Sequence, residues 1–320
     1  MRFLPDERLY WDADHCLRFL RELEPPDEDD APSGEPYHLY WSGPFTNKQA
    51  FAVKALLATQ RRRGEVCLWL DPENGYPGHE RNEALQSVAC EISVKPFDPA
   101  LECRGTPVEG RTELLEHPSP LERANLLRLV TLYKYGGVYL DLDTMLLRDL
   151  SDLFDQPFMT EDFTYRWSAD LPYGNNAVLR FEQGSENAWK LLERSVEKGS
   201  CNPTVVLRFE GAEEVDMTVL PCAFFDPLWP HFDGKCRLEA APFDGFDGFF
   251  RKFSWRFRPG PDARSYREFF PGAFAYHWHN NWDAREHDES YFGRFAHEFD
   301  EELRDQRPDD LTTAASAPAQ

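Results

Sequence analysis

Two aspartates separated by one leucine, Asp141 and Asp143, end an apolar segment of the sequence. From Val138 onward apolar and polar residues alternate, so we expect a strand with both carboxylates on one side of its C-terminal end. Two negative charges held this close favour a divalent cation. The spacing alone is weak evidence in a chain with 57 acidic residues, but the end of an apolar strand is no place for a solvated charge run. The pair therefore predicts a divalent-metal site.

Two polar residues, Asn125 and Arg128, interrupt a largely apolar helix that precedes the strand. They are three residues apart, so they lie on one face of the helix, and buried polar groups need partners. Two interpretations stay open. Arg128 forms a structural ion pair with one of the aspartates, or both residues hydrogen-bond a polyhydroxylated ligand whose diphosphate is held by a metal on the aspartates.

The helix that carries these residues has clear ends. Ser119, Pro120 and Glu122 stand at the N-cap, first-turn and N3 positions. Gly136 and Gly137 supply the left-handed residue that ends a helix. Apolar residues spread over more than one face, which indicates a helix buried on most sides. A buried helix followed directly by a strand would hold the polar pair and the aspartates in a fixed relation.

Strands and helices alternate ahead of this helix. Strands are predicted over residues 37–41, 66–70 and 92–97, and helices over 46–58 and 80–88. This order predicts an α/β fold with a mostly parallel central sheet flanked by helices and right-handed crossovers. Because ligands bind such sheets at the carboxyl ends of the strands, the two aspartates would lie at the ligand-binding edge.

Composition limits the classes of partner. The formal charge of −22 argues against nucleic acid and against anionic membrane surfaces, because both require a basic surface. No run of about 18 apolar residues and no signal-peptide pattern is present, so no transmembrane segment is expected. The seven cysteines are scattered and lack CxxC spacing, which is typical of reduced thiols. We expect a soluble, cytoplasmic protein.

The run RANLLRLVTLYKYGGVYLDLD, residues 123–143, resembles the sugar-binding region of the DXD-motif glycosyltransferases of family 32. That family includes initiation-specific mannosyltransferases and α-1,4-galactosyl- and N-acetylglucosaminyltransferases. Its usual pattern is S/A-D-x-x-R, a helix, Gly-Gly and Y-x-D-x-D. This chain has Asn125 where the family has an aspartate that contacts donor-sugar hydroxyls; an asparagine keeps an acceptor oxygen and gains a donor but loses the charge.

Three other segments resemble the family more thinly. The strand YHLYWSGP is similar to the family's first strand, whose end meets the nucleotide base, so the resemblance implies base contacts by Trp41 and Ser42. Asn175 and Asn176 lie in a segment that resembles the one near the sugar and the acceptor. The run AYHWHNNW is similar to the element whose histidine closes the metal and phosphate site, which implies that role for His277.

The resemblance implies a GT-A fold and a hexosyltransferase that moves a sugar from a UDP- or GDP-sugar to a glycan or other hydroxyl acceptor with retention. It implies Mn²⁺ (or Mg²⁺), held by Asp143, Asp141 and His277, as the Lewis acid for the leaving diphosphate. It gives catalytic roles to Asp141, Asp143 and Arg128. The implied donor-binding residues are Trp41, Ser42, Asn125, Arg128, Tyr139, Asp141, Asn175 and Asn176.

The domain organisation follows from the same comparison. Residues 1–36 are expected to form a helix and an acidic, proline-rich linker, and residues 306–320 a disordered tail. Residues 37–305 would form a single GT-A domain. Its nucleotide-sugar-binding half would span residues 37–143 and its acceptor half, with α+β additions, residues 144–305.

Two charged stretches in the acceptor half have alternative interpretations. Residues 243–258 are an aromatic and basic stretch, in which basic residues alternate with Phe253, Trp255 and Phe257; this alternation predicts a strand with one packed face. Alternatively, the basic residues Arg251, Lys252, Arg256 and Arg258 contact the donor diphosphate or an anionic acceptor. A further strand-like segment is expected over residues 158–160, followed by Glu161 and Asp162, which are either solvated or close to the sugar.

Two functions of other classes stay open. Asp141-Leu142-Asp143-Thr144 resembles the nucleophile and acid pair of haloacid-dehalogenase-type phosphatases, although that fold places the pair on its first strand. Asn125, together with His279 at the position of the family's tryptophan, would suit a non-catalytic nucleotide-sugar-binding protein. Release of free nucleotide would distinguish an enzyme from a binding protein.

Overall fold

The computed structural model describes residues 1–23, 34–117, 119–210, 214–234, 238–239, 241–254 and 265–306. Most of the predicted linker and tail lie outside these residues, as do Arg256 and Arg258 of the predicted aromatic strand.

The strands of the described residues form one large and one small sheet. They are β1 (Arg2–Phe3), β2 (Glu35–Trp41), β3 (Arg63–Leu70), β4 (Ser93–Pro96), β5 (Gly137–Leu140), β6 (Thr144–Leu146), β7 (Phe163–Arg166), β8 (Gly174–Phe181), β9 (Thr218–Leu220) and β10 (Ala275–His277). The large sheet has the order β1-β9-β7-β8-β5-β2-β3-β4, and β10 pairs with β6. Among the described strands of the large sheet, only β8 runs antiparallel to its neighbours, β5 and β7. The predicted α/β fold with a mostly parallel central sheet is therefore confirmed.

Helices cover both faces of the large sheet. In the described residues they are α1 (Ala13–Arg21), α2 (Asn47–Thr59), α3 (Glu83–Gln86), α4 (Pro99–Glu102), α5 (Thr112–Leu115), α6 (Pro120–Tyr135), α7 (Ser151–Phe154), α8 (Glu186–Lys198), α9 (Pro203–Val206), α10 (Trp229–Phe232) and α11 (Tyr291–Asp305). Because side chains alternate along a strand, Val138 and Leu140 of β5 join the core on the α2 and α11 face, and Tyr139 joins the core on the α6 and α8 face.

The helix predicted before the aspartates is α6. It begins after Ser119, whose side chain makes no capping hydrogen bond, and ends at Gly136, whose positive φ of 69° with a ψ of −172° is a conformation open to glycine but not the predicted left-handed helical one. A Cβ on Gly137 would lie 2.1 Å from the carbonyl oxygen of Pro36, so the contact between this turn and β2 requires glycine at Gly137. The double glycine thus ends the helix and brings β5 against β2.

Two local predictions are wrong. Residues 80–88 form a short 3-10 turn and the four-residue α3 rather than one helix, and the strand expected over 158–160 begins only at Phe163. Residues 255–258 of the predicted aromatic and basic strand lie outside the described residues, so that strand stays a prediction.

The N-terminal segment contributes to the large sheet, since Arg2 and Phe3 of β1 pair with Thr218 and Val219 of β9. The assignment of domain boundaries stays a prediction. Within the described ranges, every helix is too short or too polar to cross a membrane.

Candidate active site

Asp141 and Asp143 lie in a tight turn between β5 and β6, not on the strand itself as predicted. The turn is closed by the Thr144 N–H, which donates to the Asp141 carbonyl at 3.0 Å. The strand stops at Leu140 because β6 leaves the large sheet to pair with β10. The turn sits at the carboxyl edge of the sheet, the edge at which ligands were expected.

Arg128 of α6 forms an ion pair with Asp141. Its Nη2 lies 3.1 Å from Asp141 Oδ1, and its Nη1 donates to the Asn176 carbonyl at 2.5 Å. The guanidinium is 4.6 Å from the centre of the Tyr139 ring, and the Tyr139 hydroxyl donates to Asp141 Oδ1. The side chain of Arg128 is 2% exposed. These contacts match the interpretation of Arg128 as a partner of Asp141 in an ion pair.

Burial raises the pKa of Asp141, and the charge of Arg128 opposes that rise without cancelling it. Burial also acts against the charge of Arg128, but Asp141 and Tyr139 raise the pKa of the guanidinium above its usual value. Arg128 therefore stays cationic at the centre of the site and offsets part of the repulsion between the two aspartates.

Asp143 faces His277 on the other side of the turn. Asp143 Oδ1 lies 3.1 Å from His277 Nε2, and Oδ2 accepts the Asn280 N–H at 2.8 Å. Burial acts to raise the pKa of Asp143, but His277 and the Asn280 N–H lower it to about 2. Burial acts to lower the pKa of His277, but Asp143 raises it to about 9. Asp143 is therefore an ionised carboxylate in a buried pair.

Backbone pairing explains why His277 reaches Asp143. β10 runs antiparallel to β6, with His277 opposite Thr144, and the Trp278 N–H donates to the Asp143 carbonyl at 3.0 Å. The next two residues, His279 and Asn280, have φ values of 50° and 55°. This left-handed backbone is uncommon for residues other than glycine, and here it directs the Asn280 N–H at the Asp143 carboxylate.

A second group of possible metal ligands shares His277. One ligand atom from each of Asp226, His277 and His279 lies within 4.8 Å of the others. Asp226 Oδ2 is 2.6 Å from His279 Nε2 and 3.8 Å from His277 Nδ1. In the described residues His277 Nδ1 is buried without a hydrogen-bond partner. The two ring nitrogens of His277 thus face two different carboxylates, Asp143 and Asp226.

This donor set fits a divalent cation. Carboxylate oxygens and an imidazole nitrogen are ligands of Mn²⁺, and Mg²⁺ accepts the carboxylates. A metal-bound histidine usually donates its other N–H to a carboxylate, and Asp226 stands on that side of His277. Sequence reasoning missed Asp226, although an aspartate inside the aromatic run FFDPLW was a usable signal.

Asn125 and the two neighbouring asparagines of β8 have unequal roles. Asn125 Oδ1 accepts from Asn176 Nδ2 at 2.9 Å, which leaves Asn125 Nδ2 buried without a partner in the described residues. Asn175 uses its side-chain oxygen on the Ala177 N–H at 2.8 Å. Asn125 and Asn176 are therefore suited to a polar ligand, whereas Asn175 supports the local backbone.

Trp41 and Ser42 stand at the carboxyl end of β2. Trp41 Nε1 donates to the Pro44 carbonyl at 2.9 Å, and the indole packs 4.7 Å from that of Trp282. These contacts fix the plane of the Trp41 ring. The two rings meet edge to face at 61°, so the pair forms an angled aromatic surface beside the turn, to which a nucleobase could bind.

All of the sequence-predicted site residues line one cavity of about 660 Å³. They are Trp41, Ser42, Asn125, Arg128, Tyr139, Asp141, Asp143, Asn175, Asn176 and His277. The same cavity is lined by residues that sequence reasoning left without a site role: Tyr40, Leu121, Trp167, Trp229, His279, Asn280 and Trp282 are among them. Residues from distant parts of the sequence thus converge at one edge of the sheet.

The charged residues with alternative interpretations lie elsewhere. Glu161 pairs with Arg180 at 2.9 Å, and Asp162 accepts from the Glu182 N–H and Asn187 Nδ2. Arg251 pairs with Asp247 at 2.7 Å, and Lys252 with Glu289 at 3.1 Å. The cavity is not lined by Glu161, Asp162, Arg251 or Lys252. Their contacts in the described residues are therefore structural.

Comparison with known families is informative for the centre of the chain. Residues 100–162 match the model described as "Glycosyltransferase sugar-binding region containing DXD motif". The match spans α6, β5, the aspartate turn and β6, and covers about a fifth of the chain. It confirms the resemblance to DXD-motif glycosyltransferases and the enzyme class, glycosyltransferase, whereas the assignment to family 32 stays a prediction. No curated protein matches the sequence.

Solved structures with similar folds include several glycosyltransferases. The PaToxG glycosyltransferase is 15% identical, with a TM-score of 0.43, 69% of this chain and 76% of that one covered. The apo form of the glycosyltransferase GlyE from Streptococcus pneumoniae TIGR4 is 16% identical with a TM-score of 0.38, and the alignment covers 59% of this chain and 46% of that one. Mouse xyloside xylosyltransferase 1 is 12% identical with a TM-score of 0.38, covering 79% and 99%. At TM-scores below 0.5 these likenesses support no inference about the reaction.

Proposed function

We propose that the protein transfers a sugar from a UDP- or GDP-sugar to a hydroxyl acceptor in glycan biosynthesis, because residues 100–162 match the model of the glycosyltransferase sugar-binding region that contains a DXD motif. We propose that the transfer depends on Mn²⁺ or Mg²⁺ and retains the anomeric configuration, as in the family 32 enzymes that the sequence resembles. We also propose a cytoplasmic location, which the scattered cysteines without CxxC spacing support.

The observation that carries the proposal is the shared cavity. Ten side chains assigned from the sequence to a donor and metal site line the same cavity of about 660 Å³. A cavity of this size suits a small-molecule ligand. The charged residues Arg128, Asp141, Asp143 and His277 lie in its lining between the Trp41 surface and the Asn125 and Asn176 pair. This order suits a ligand with a base, a diphosphate and a sugar.

Asp143, Asp141 and His277 are the residues that would hold the cation. When bound, the metal neutralises diphosphate charge and so makes the nucleotide a better leaving group. In this assignment His277 would bind through Nε2, on the side of Asp143, while the Asp226 carboxylate stands 3.8 Å from Nδ1 on the opposite side of the ring. Asn280 supplies a backbone N–H to Asp143 Oδ2, which fixes the orientation of that carboxylate.

The remaining residues of the cavity would orient the donor. Trp41 offers an aromatic face to the base, and Ser42 offers a hydroxyl at the same strand end. Asn125 Nδ2 is a buried donor without a hydrogen-bond partner in the described residues. A sugar hydroxyl that accepts from it would remove the free-energy cost of leaving this donor unsatisfied. Arg128 holds Asp141 in place and adds positive charge as the diphosphate departs.

In the proposed reaction the bond between the anomeric carbon and the diphosphate oxygen breaks, and a bond to the acceptor oxygen forms on the same face of the sugar. The acceptor's proton passes to the departing diphosphate, so that atoms and charges balance. No carboxylate in the lining other than Asp141 and Asp143 is available as a nucleophile within the described residues. Same-face displacement therefore requires no further protein group.

The test is thermal unfolding with UDP, GDP and their sugars, each with and without Mn²⁺. A ligand that binds only the folded protein raises the melting temperature. We expect one nucleotide to stabilise the native protein only with metal, and Asp143→Asn to abolish that effect. The exposed Asp155→Asn is the matched control and should keep it.

Turnover separates the competing functions. An enzyme releases free nucleotide from its nucleotide sugar, whereas a non-catalytic binding protein shows the metal-dependent stabilisation without release. A haloacid-dehalogenase-type phosphatase would hydrolyse phosphate esters and show no preference for nucleotide sugars. If no nucleotide changes the melting temperature under any metal condition, the proposed function is wrong.

A further inference from the structure

The cavity continues past the residues assigned to the donor. Its lining includes Trp167, which directly follows β7, and Trp229, the first residue of α10. The two indole rings are 5.5 Å apart at an angle of 83°, so they form a corner with one flat face and one edge. Both are partly exposed. The Trp229 ring packs on His279, with ring centres 4.6 Å apart, and the Trp229 backbone N–H donates to Asp226 Oδ1, but the donor and metal assignment gives neither indole a ligand.

The order of strands locates the corner relative to the donor. β5, β2 and β7 run in one direction and β8 runs against them, so the ends of β2, β5 and β7 and the start of β8 share one edge. Along this edge the lining passes from Trp41 on β2, through Asp141 and Asp143 after β5, to Asn176 on β8, and then to Trp167 after β7. From β2 to β7 is three strand spacings, roughly 14 Å.

This succession matches the order of groups in the proposed reaction. The base would lie at β2, the diphosphate at the aspartate turn and the donor sugar at the start of β8. The end of β7 lies one strand beyond the donor sugar, which is where the attacking hydroxyl has to approach. The corner formed by Trp167 and Trp229 is therefore on the acceptor side of the cavity.

The chemistry of this end indicates what kind of acceptor it would bind. The cavity residues Asn202, Pro203 and Thr204 belong to a segment tied to the loop after β7 by the Gly174 N–H, which donates to the Leu207 carbonyl. None of these three residues, nor either tryptophan, carries a formal charge. Leu121 adds an apolar side chain that is 61% exposed at the same cavity. A pyranose ring has an apolar C–H face that packs on an indole and a rim of hydroxyls that bind amides and hydroxyls.

We propose that Trp167 and Trp229 form an acceptor subsite that binds the terminal pyranose of a glycan. The inference rests on the proposed function and specifies its acceptor class. His279 packs on Trp229 but is paired with Asp226 at 2.6 Å, and Arg128, the one arginine or lysine of the described lining, is paired with Asp141. An anionic acceptor would therefore find no unpaired cation at this end. The acceptor is thus a neutral sugar residue rather than a phosphorylated group.

The experiment measures binding of labelled protein to an array of immobilised oligosaccharides, with Mn²⁺ and whichever of UDP and GDP raises the melting temperature. We expect binding to at least one neutral oligosaccharide, a tenfold or greater loss in Trp167→Ala, and a smaller loss in the conservative Trp229→Phe. Trp11→Ala, at an exposed tryptophan outside the cavity, is the control and should bind as the native protein does.

Nucleotide affinity distinguishes a failure of the acceptor subsite from a failure of the proposed function. In Trp167→Ala we expect the affinity for nucleotide and metal to change less than twofold, which also shows that the variant is folded. If nucleotide stabilises the protein but no oligosaccharide binds, the acceptor is of another class and the subsite is wrong, while the proposed function stands. Oligosaccharide binding that survives Trp167→Ala also overturns the subsite. If no nucleotide binds, both proposals fail.

Discussion

The two walls that meet at the aspartate turn are built in different ways. The first wall, α6 with β5, is local: Arg128 is 13 residues from its partner Asp141, and Gly136 separates the helix from the strand. The second wall, the loop from His277 to Ala284, is assembled from distant residues. Asn280 reaches Asp143 across 137 positions, and Lys48 reaches this loop across more than 230.

Lys48 shows what the second wall requires. It is 2% exposed, and its ammonium donates to the carbonyls of Asn281, Trp282 and Ala284, each at 2.6 Å. It also stands at the second residue of α2, where the positive end of the helix dipole disfavours a cation. Burial lowers the pKa of Lys48. A cation in so costly a position indicates that the loop has to be held in one conformation, whereas the first wall is held by its own sequence neighbours.

If this contrast is correct, changes in the first wall reduce stability, and changes in the second wall reduce ligand binding. The largest effect is expected for Arg128→Met, which leaves Asp141 without its buried partner. The free energy of unfolding should fall by about 3 kcal/mol, as for other broken buried pairs, measured by urea denaturation. Adding Asp141→Asn should recover part of the loss, because it removes the unpaired charge. An Arg128→Met protein as stable as the native one would contradict the contrast.

Asp226→Asn tests the second wall next. Without the carboxylate behind His277 and His279, the affinity for Mn²⁺ should fall by about tenfold to a hundredfold, the range observed for supporting carboxylates. Titration calorimetry with Mn²⁺ and nucleotide measures this, with Asp155→Asn as the control. Stability should change much less than in Arg128→Met. Unchanged Mn²⁺ affinity would show that Asp226 does not support the ligand histidine.

His38 provides a pH test of the first wall. Its Nε2 donates to the Gly136 carbonyl and its Nδ1 accepts from Trp69 Nε1, so only the neutral ring satisfies both contacts. Burial lowers the pKa of His38 to about 4. Between the unfolded value of about 6.5 and pH 4 the unfolded chain binds more protons, so stability decreases as the pH falls, by about 2 kcal/mol at pH 5.

The measurement compares denaturation at pH 7 and pH 5 in the native protein and in His38→Gln. The variant should lose about 2 kcal/mol less over this interval, whereas His297→Gln, at an exposed histidine, should behave as the native protein does. Equal pH dependence in the native protein and His38→Gln would show that His38 is not buried in its neutral form.

The smallest effect is expected for Lys48→Met. Removing the ammonium abolishes three hydrogen bonds but also the cost of burying a charge, so stability should change by less than about 1 kcal/mol. The loop that carries Asn280 and Trp282 should loosen and weaken nucleotide binding roughly tenfold, about 1.4 kcal/mol. Lys54→Met, on the same helix but paired with Asp300, should bind nucleotide normally. A large loss of stability without a loss of nucleotide binding would contradict the expected difference between the two walls.

Much of the first wall was predictable from the sequence because its signals are local. The capping residues before Leu121, the double glycine and the alternation in β5 depend on backbone geometry within a few residues. The position of the two aspartates was predicted, but the predicted strand β5 was too long. It ends early because β6 pairs with β10, a segment about 130 residues away.

Other parts of the site were not predictable. His277 was assigned only through the resemblance, and Asp226, Lys48, Trp167 and Trp229 have no local pattern that marks a site. Their positions depend on which strands become neighbours and on contacts between segments far apart in sequence.

The fold class, the helix and strand around Asp141 and Asp143 and the resemblance carried by residues 123–143 could be predicted from the amino-acid sequence, because they depend on short-range periodicity and on a contiguous motif. The contacts of Asp143 with His277 and of Asp226 with His279, and the place of the tryptophan corner one strand beyond Asn176, became visible only in the folded chain. Those relations come from strand order and from antiparallel pairing of β6 with β10. Burial then sets the charge state of each group, because the cost of desolvation depends on the surrounding fold.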